Sequence, residues 1–505
     1  RHTRLQGDWS SDVCSSDLRM PAMPDKKTLL DPLEFKNLSV KNRIFRSNIS
    51  GRFDNYDGSG NQARINWETK FARGGVGAII TSFVPVLIEG RIVPNYATIH
   101  QDDRIPFWRK VGESVHEHDC RLIMQLSHSG RQRDIGGVEN PNPGLSSTSS
   151  TESFHGLPCR AMSKDDIQRT IHAFGQGARR AREAGLDGVE LHGANGYLIT
   201  QFLSAGINDR TDEYGGSLEN RARFVLEIVR EIRRQVGHDF HLQMKISAED
   251  FNNAVIPYEK PGNHIEDTVQ ICQWLEKEGV DAIHVSVGSI FPHPMNPPGT
   301  FPLQGPYPSD RAETSYDTML SSGDQTLRNY LLFHVSILRP LFTWLWNRVP
   351  NQQFSHPNVI QGKKITSDEL AKDFLKYIPL DTMQALLDKF QGRNLAYAKK
   401  IKQAVSLPII CTGGFQQASL INKAIDDGYC DAVSMARMLV ANNDLVQKFS
   451  AGLDLPEKPC TYCNKCLLNT LENPLGCYEP SRFNNDYNEM IAKVMTVFHP
   501  QPFPQ

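Results

Sequence analysis

Four times along this chain a helix-like stretch ends at glycine and a short β-rich run begins within a few residues. The phrase reads RGGVGAIIT at 73 to 81, EAGLDGVELH at 183 to 192, EGVDAIHV at 278 to 285 and DGYCDAVSMA at 427 to 436. Three more apolar runs, 121 to 126 (RLIMQL), 241 to 246 (HLQMKI) and 407 to 411 (LPIIC), fit the same role, and 43 to 47 (RIFRS) makes a first strand. Amphipathic helical patterns lie between them. One runs from Ser163 to Gly185 with Ser163 and Asp166 as a capping box; another runs from Ser217 to Gly237 with Val225, Ile228, Val229, Ile232 and Val236 on one face. Alternating strand and helix means a parallel sheet, and eight copies favour a closed (β/α)8 barrel over an open doubly wound sheet. No GxGxxG follows any strand, which weighs the same way.

The spacing breaks once. Strand six ends near Val287 and strand seven begins near Leu407, so an insertion over about 291 to 393 is expected, Pro-rich from 291 to 310. Within it, 326 to 349 (TLRNYLLFHVSILRPLFTWLWNRV) is the most apolar helical stretch of the chain. Arg339 and Pro340 interrupt it, and no run reaches the roughly 18 uncharged residues of a membrane span. A lid or a homo-oligomer contact is the reading adopted, ahead of a lipid contact.

At the other end, Asp8 to Leu18 (DWSSDVCSSDL) resembles the conceptual translation of a sequencing adapter, so residues 1 to 19 are set apart from the fold and Met20 or Met23 is taken as the natural start. The barrel is then expected over 24 to 450 and a Cys-rich tail over 451 to 505. Nothing after Met23 has the order of a secretory signal, and the expected compartment is the cytoplasm. With 55 basic and 57 acidic side chains the net charge is -2, so no overall field favours nucleic acid or anionic lipid, and a small-molecule partner is the default.

In such a barrel the site lies at the C-terminal ends of the strands. Strand four ends in His192-Gly-Ala-Asn195-Gly-Tyr197. His192 and Asn195 can aim donors at one carbonyl oxygen, which draws electron density from a conjugated double bond, and Tyr197 brings a phenolic proton to the carbon opposite an arriving hydride. After strand seven comes Thr412-Gly413-Gly414, and after strand eight Ala436-Arg437. Glycine lets backbone N–H groups approach an anion and Arg can hold it bidentately, a phosphate-binding pair in the place where such barrels bind phosphate.

These motifs resemble the Old Yellow Enzyme family of FMN-dependent ene-reductases, which includes the barrel portions of dienoyl-CoA reductase and trimethylamine dehydrogenase. The resemblance covers roughly Leu30 to Ile290 and Asn394 to Phe449, and its most specific piece is 188 to 223, GVELHGANGYLITQFLSAGINDRTDEYGGSLENRAR. It implies that His192 and Asn195 bind the substrate's activating oxygen and that Tyr197 donates the proton. It implies that Gln125, in MQLSHSGR, meets the pyrimidine edge of the flavin and that Lys245 stands where the family has Arg beside flavin N1 and O2, a cation for the reduced ring without Arg's planar fork. Ser47 to Ser50 would meet the flavin ring, Ser50 aligning with a Thr or Cys that tunes its potential in relatives. This segment departs from the family's more usual Pro-containing version.

Near the C-terminus, Cys460-Thr-Tyr-Cys463-Asn-Lys-Cys466 with Cys477 gives C-x2-C-x2-C-x10-C, a spacing that can ligate a [4Fe–4S] cluster or tetrahedral zinc. Relatives like trimethylamine dehydrogenase carry a cluster on a comparable stretch, which favours iron. The spacing to the last Cys differs, however, and only about 28 residues follow Cys477, with no counterpart of the nucleotide-binding domains that follow the barrel there. Iron–sulfur, zinc and unligated thiols stay open. The other cysteines, Cys120, Cys159, Cys272, Cys411 and Cys430, read as reduced core residues.

The expected activity is therefore an FMN-dependent NAD(P)H oxidoreductase that reduces activated C=C bonds of α,β-unsaturated carbonyl compounds by hydride transfer from flavin N5. An amine dehydrogenase or demethylase with an iron–sulfur cluster is one alternative. A flavin-free, phosphate-binding barrel lyase is another.

Overall fold

The structure is a computed structural model that describes residues 26–133, 142–151, 157–252, 260–291, 293, 296–297, 383–470 and 473–499. The adapter-like segment and the apolar stretch 326 to 349 lie outside the described residues. Eight parallel strands form the centre: β1 (Ile44–Arg46), β2 (Ala78–Ile80), β3 (Arg121–Ser127), β4 (Gly188–Gly193), β5 (His241–Ser247), β6 (Ala282–Ser286), β7 (Ile409–Thr412) and β8 (Ala432–Met435). Each pairs with the next, and β8 returns to β1 with Val433 opposite Ile44 and Met435 opposite Arg46, so the sheet closes. The expected (β/α)8 barrel is the observed architecture.

Helices α1 (Gln62–Arg73), α2 (Ile105–His116), α3 (Lys164–Glu183), α4 (Leu218–Val236), α5 (Ile265–Lys277), α6 (Leu395–Lys402), α7 (Ala418–Asp426) and α8 (Leu445–Ser450) follow the strands in turn. Local sequence explains their limits. Ser163 Oγ accepts from the Asp166 amide at 3.1 Å while Asp166 accepts from the Ser163 amide at 2.9 Å, closing the capping box of α3. Ser217 caps α4, whose last turn stops at Gly237 with φ +74°. Between strands six and seven, the helix Met383–Phe390 buries Leu387 and Phe390 in the main core.

Because side chains alternate across a strand, every second residue faces the barrel interior. Ile44, Ile79, Leu122, Ile283, Ile409 and Val433 face outward into one large core with the helices. Their neighbours Phe45, Ala78, Ile80, Ile123, Ala282, Ile410 and Ala432 form a separate inner cluster with Leu33, Phe35, Leu38 and Val40, which come from a short antiparallel pair, Leu33–Glu34 with Ser39–Val40, and the turn that joins it. That floor is apolar. Two residues further along the same inward rows come Gln125, His284, Thr412 and Ser434, joined by Glu190 and Gln243. The interior thus turns from apolar to polar toward the C-terminal ends of the strands.

Candidate active site

An open cavity lies at those ends. Its walls include Ser47 and Ser50 after β1, His192, Asn195 and Tyr197 at β4, Lys245 on β5, and Ala436 and Arg437 after β8, so eight of the expected positions share one site. Gln125, Gly413 and Gly414 do not line it. Gly414 is tied down by packing: its φ is +73°, a Cβ there would sit 2.4 Å from the Phe390 carbonyl oxygen, and its own carbonyl accepts from Tyr462 Oη at 2.6 Å.

The loop after β4 is built to present its side chains. Asn195 and Gly196 have φ of +61° and +78°, and a Cβ at Gly196 would meet the Ser289 carbonyl oxygen at 2.2 Å, so glycine lets this loop pack against the one after β6. Gln201 then binds four groups: Nε2 donates to Gly196 O at 2.7 Å and Ser129 O at 3.1 Å, while Oε1 accepts from the Arg131 amide and Ser146 Oγ. Asn195 Oδ1 accepts from Asn296 Nδ2 at 3.2 Å and Ser286 Oγ at 3.5 Å, which leaves the amide N–H groups as the end offered to a ligand.

His192 is 1 % exposed and neither ring nitrogen has a partner within the protein. Burial, reinforced by Lys245, holds its pKa well below 6.5, so the imidazole is neutral and can donate one N–H without carrying charge. The Tyr197 ring is packed between His192, 4.8 Å away, and Phe83, 4.9 Å away. Burial and the neighbouring Tyr96 push its phenol well above 10, so it stays protonated and is a donor.

Lys245 Nζ donates to Asn48 Oδ1 and, at 3.5 Å, to Ser47 Oγ. Burial lowers it to about 8, with Glu190 opposing that shift. This cation sits beside the β1 segment expected to meet the flavin ring. The donor set fits a flavin: a lysine on one wall, an arginine at the start of the helix Arg437–Ala441 on another, and buried polar atoms without protein partners at Ser50 Oγ and His192, with Gln125 Oε1 equally unpartnered in the polar layer beneath.

The four tail cysteines line a second, much smaller pocket. Gln416 clamps its first loop to the segment after β7, Nε2 to Cys460 O and Oε1 from the Cys460 amide, each at 2.9 Å. Arg482 reaches Cys477 Sγ at 3.1 Å. Among the described residues no group of three or more His, Cys, Asp or Glu is gathered closely enough to hold a metal ion, so the thiols share a pocket without converging on a point. Arg437, Val440 and Cys466 line both cavities, and Arg437 Nη1 donates to Asn464 Oδ1 between the cysteines. Sequence reading missed Gln201, Asn296 and the Glu190–His284 pair; polar residues at alternate positions of apolar strands were the available signal for that pair.

The chain is similar to the NADH oxidase of Thermoanaerobacter brockii, 28% identical over 429 residues, which are 85% of this chain and 51% of that protein. It is similar to the cinnamate reductase of Clostridium sporogenes, 27% identical over 492 residues, 93% of this chain and 61% of that one. The chain therefore spans about half to three-fifths of these relatives' length. Among solved structures, 2-naphthoyl-CoA reductase shares the fold at a TM-score of 0.66 and 23% identity, over 91% of this chain and 58% of that one. The model of the NADH:flavin oxidoreductase / NADH oxidase family matches residues 28–302, and the chain belongs to that family of oxidoreductases.

Proposed function

We propose that the chain is an FMN-dependent NAD(P)H oxidoreductase that reduces a C=C bond conjugated to a carbonyl group. The observation that carries this reading is the pairing of an unpartnered, neutral His192 with a buried Tyr197 phenol in one cavity that also presents the Asn195 amide. Bound FMN would supply the hydride, taken from NAD(P)H. The chain's own groups do the rest: His192 and Asn195 donate to the carbonyl oxygen and draw charge from the double bond, and Tyr197 delivers its proton to the α-carbon. Lys245 would face the pyrimidine edge, Ser47 and Ser50 the ring, and Arg437 the phosphate end, while Gly413 and Gly414 stay behind the cavity wall.

Cys460, Cys463, Cys466 and Cys477 have the donor chemistry of a [4Fe–4S] cluster or a zinc site and share one pocket that adjoins the first through Cys466, but the thiols do not converge on one point, so no step is routed through a metal there. Cys120, Cys159, Cys272, Cys411 and Cys430 are buried and outside any disulfide, which supports a reducing compartment, the cytoplasm. No helix among the described residues is long and apolar enough to cross a membrane.

The test is an absorption spectrum of anaerobically purified protein with iron and zinc assays, titrated with NADH, then NADPH, then an enone. A flavin spectrum bleached by a nicotinamide and restored by the enone supports the reading. Bleaching by an amine instead points to the dehydrogenase alternative. A protein that stays colourless with added FMN overturns it.

A further inference from the structure

Glu190 stands at the centre of the polar layer beneath the cavity, wholly buried. Its Oε1 accepts from Gln125 Nε2 at 2.7 Å. Its Oε2 accepts from Gln243 Nε2 and meets His284 Nδ1 at 2.8 Å, while His284 Nε2 lies 2.7 Å from both Thr412 Oγ1 and Ser434 Oγ. Burial would raise this carboxyl, but His284, Lys245 and Gln243 bring it down to about 2, so it is ionised at neutral pH. An ionised carboxylate only accepts. Every group that faces it must therefore donate, and the Gln125 amide is held with its nitrogen on Glu190 and its oxygen, buried and without a protein partner, left over.

We propose that Glu190 is a positioning residue: it fixes the carbonyl oxygen of Gln125 as the atom offered to the cofactor, so that the site requires an N–H donor, as the N3–H of a flavin pyrimidine ring supplies. The inference rests on the reading that Gln125 meets that edge. A buried amide oxygen without a partner is costly, and a ligand N–H removes the cost, whereas a second acceptor there is repelled. Without the carboxylate the amide is free to turn over, and the site loses its demand for a donor.

The experiment is a fluorescence titration of the full-length apoprotein with FMN and with N3-methyl-FMN, which lacks that N–H. The wild type is expected to prefer FMN, and Glu190→Gln to lose about fivefold or more of that preference, with an unchanged far-ultraviolet circular dichroism spectrum. Gln125→Met should lose it too. A wild type that binds both flavins equally overturns the flavin-facing reading of Gln125 and the inference with it. A preference undiminished in Glu190→Gln overturns the role of Glu190 alone. Should that variant fail to fold, the Gln125 side-chain amide protons of the wild type, assigned by their loss in Gln125→Met, decide the matter: slow exchange with solvent supports the clamp, and fast exchange overturns it.

Discussion

The phenol ring of Tyr197 stands edge-on to the imidazole of His192, 4.8 Å between centroids, with the planes at 63°. That places a group that stays protonated next to a neutral donor on one cavity wall. Tyr197→Phe should therefore slow reoxidation of the reduced enzyme by an enone by about 100-fold or more, the usual scale of a lost proton donor. Flavin reduction by NAD(P)H should remain nearly intact. Stopped-flow measurement of the two half-reactions separates them, and equal loss in both removes Tyr197 from the proton-transfer step.

Phenols imitate the substrate's oxygen as phenolates, so they report on His192 and Asn195. Changing both to Ala should abolish phenol binding, read as loss of the long-wavelength charge-transfer band. Since burial keeps His192 neutral well below its ordinary 6.5, wild-type affinity between pH 5.5 and 8 should follow the phenol's own ionisation. An added inflection near 6.5 would show a histidine titrating in the site.

Much of this was legible because it is local. Eight strand–helix alternations, the Ser163 and Ser217 caps and the Gly237 stop are written in a few adjacent residues each. His192, Asn195 and Tyr197 were visible because they crowd one strand end. Asn296, which fixes the Asn195 amide from 101 residues away, left no local trace. Nor did Glu190 and His284, 94 positions apart, since their pairing depends on which face of β4 and β6 turns inward. The strands read as continuous apolar runs, and that reading hides an alternation whose inner members are polar.

Lys245 is the cation expected to offset charge on the reduced flavin. Lys245→Met should lower the FMN midpoint potential, and Lys245→Arg should keep it at or above that of the wild type. With its pKa at about 8, Lys245 loses its charge as pH rises through that value. The plot of potential against pH should change slope near pH 8 in the wild type and run straight there in Lys245→Met. Spectroelectrochemistry from pH 6 to 9.5 checks both.

Buried neutral histidines make the fold acid-sensitive. Burial lowers His128 to about 4 and His293 to about 3, against an unfolded value near 6.5. The unfolded chain then binds protons that the folded chain refuses, so this stability is fully present above pH 6.5 and is lost as pH falls toward the folded values. At pH 5 each such histidine should contribute about 2 kcal/mol less than at pH 7. Urea unfolding at pH 7 and pH 5 should show the midpoint dropping, and His128→Gln should narrow the difference.

Cys466 touches both cavities, whereas Cys477 lines only the thiol pocket. If the four thiols hold a [4Fe–4S] cluster, Cys477→Ala should remove the broad absorbance near 400 nm and about four irons per chain while leaving the flavin spectrum in place. Cys466→Ala should do the same and also shift the flavin bands, because it alters the wall of the first cavity. Zinc recovered at one per chain, with no broad absorbance to lose, would assign the tail a structural role, and Cys477→Ala should then lower thermal stability without touching the rate of flavin reduction. Loss of neither metal nor stability in either variant would leave the thiols unligated, and electrons would then have to reach the flavin from NAD(P)H bound in the cavity itself.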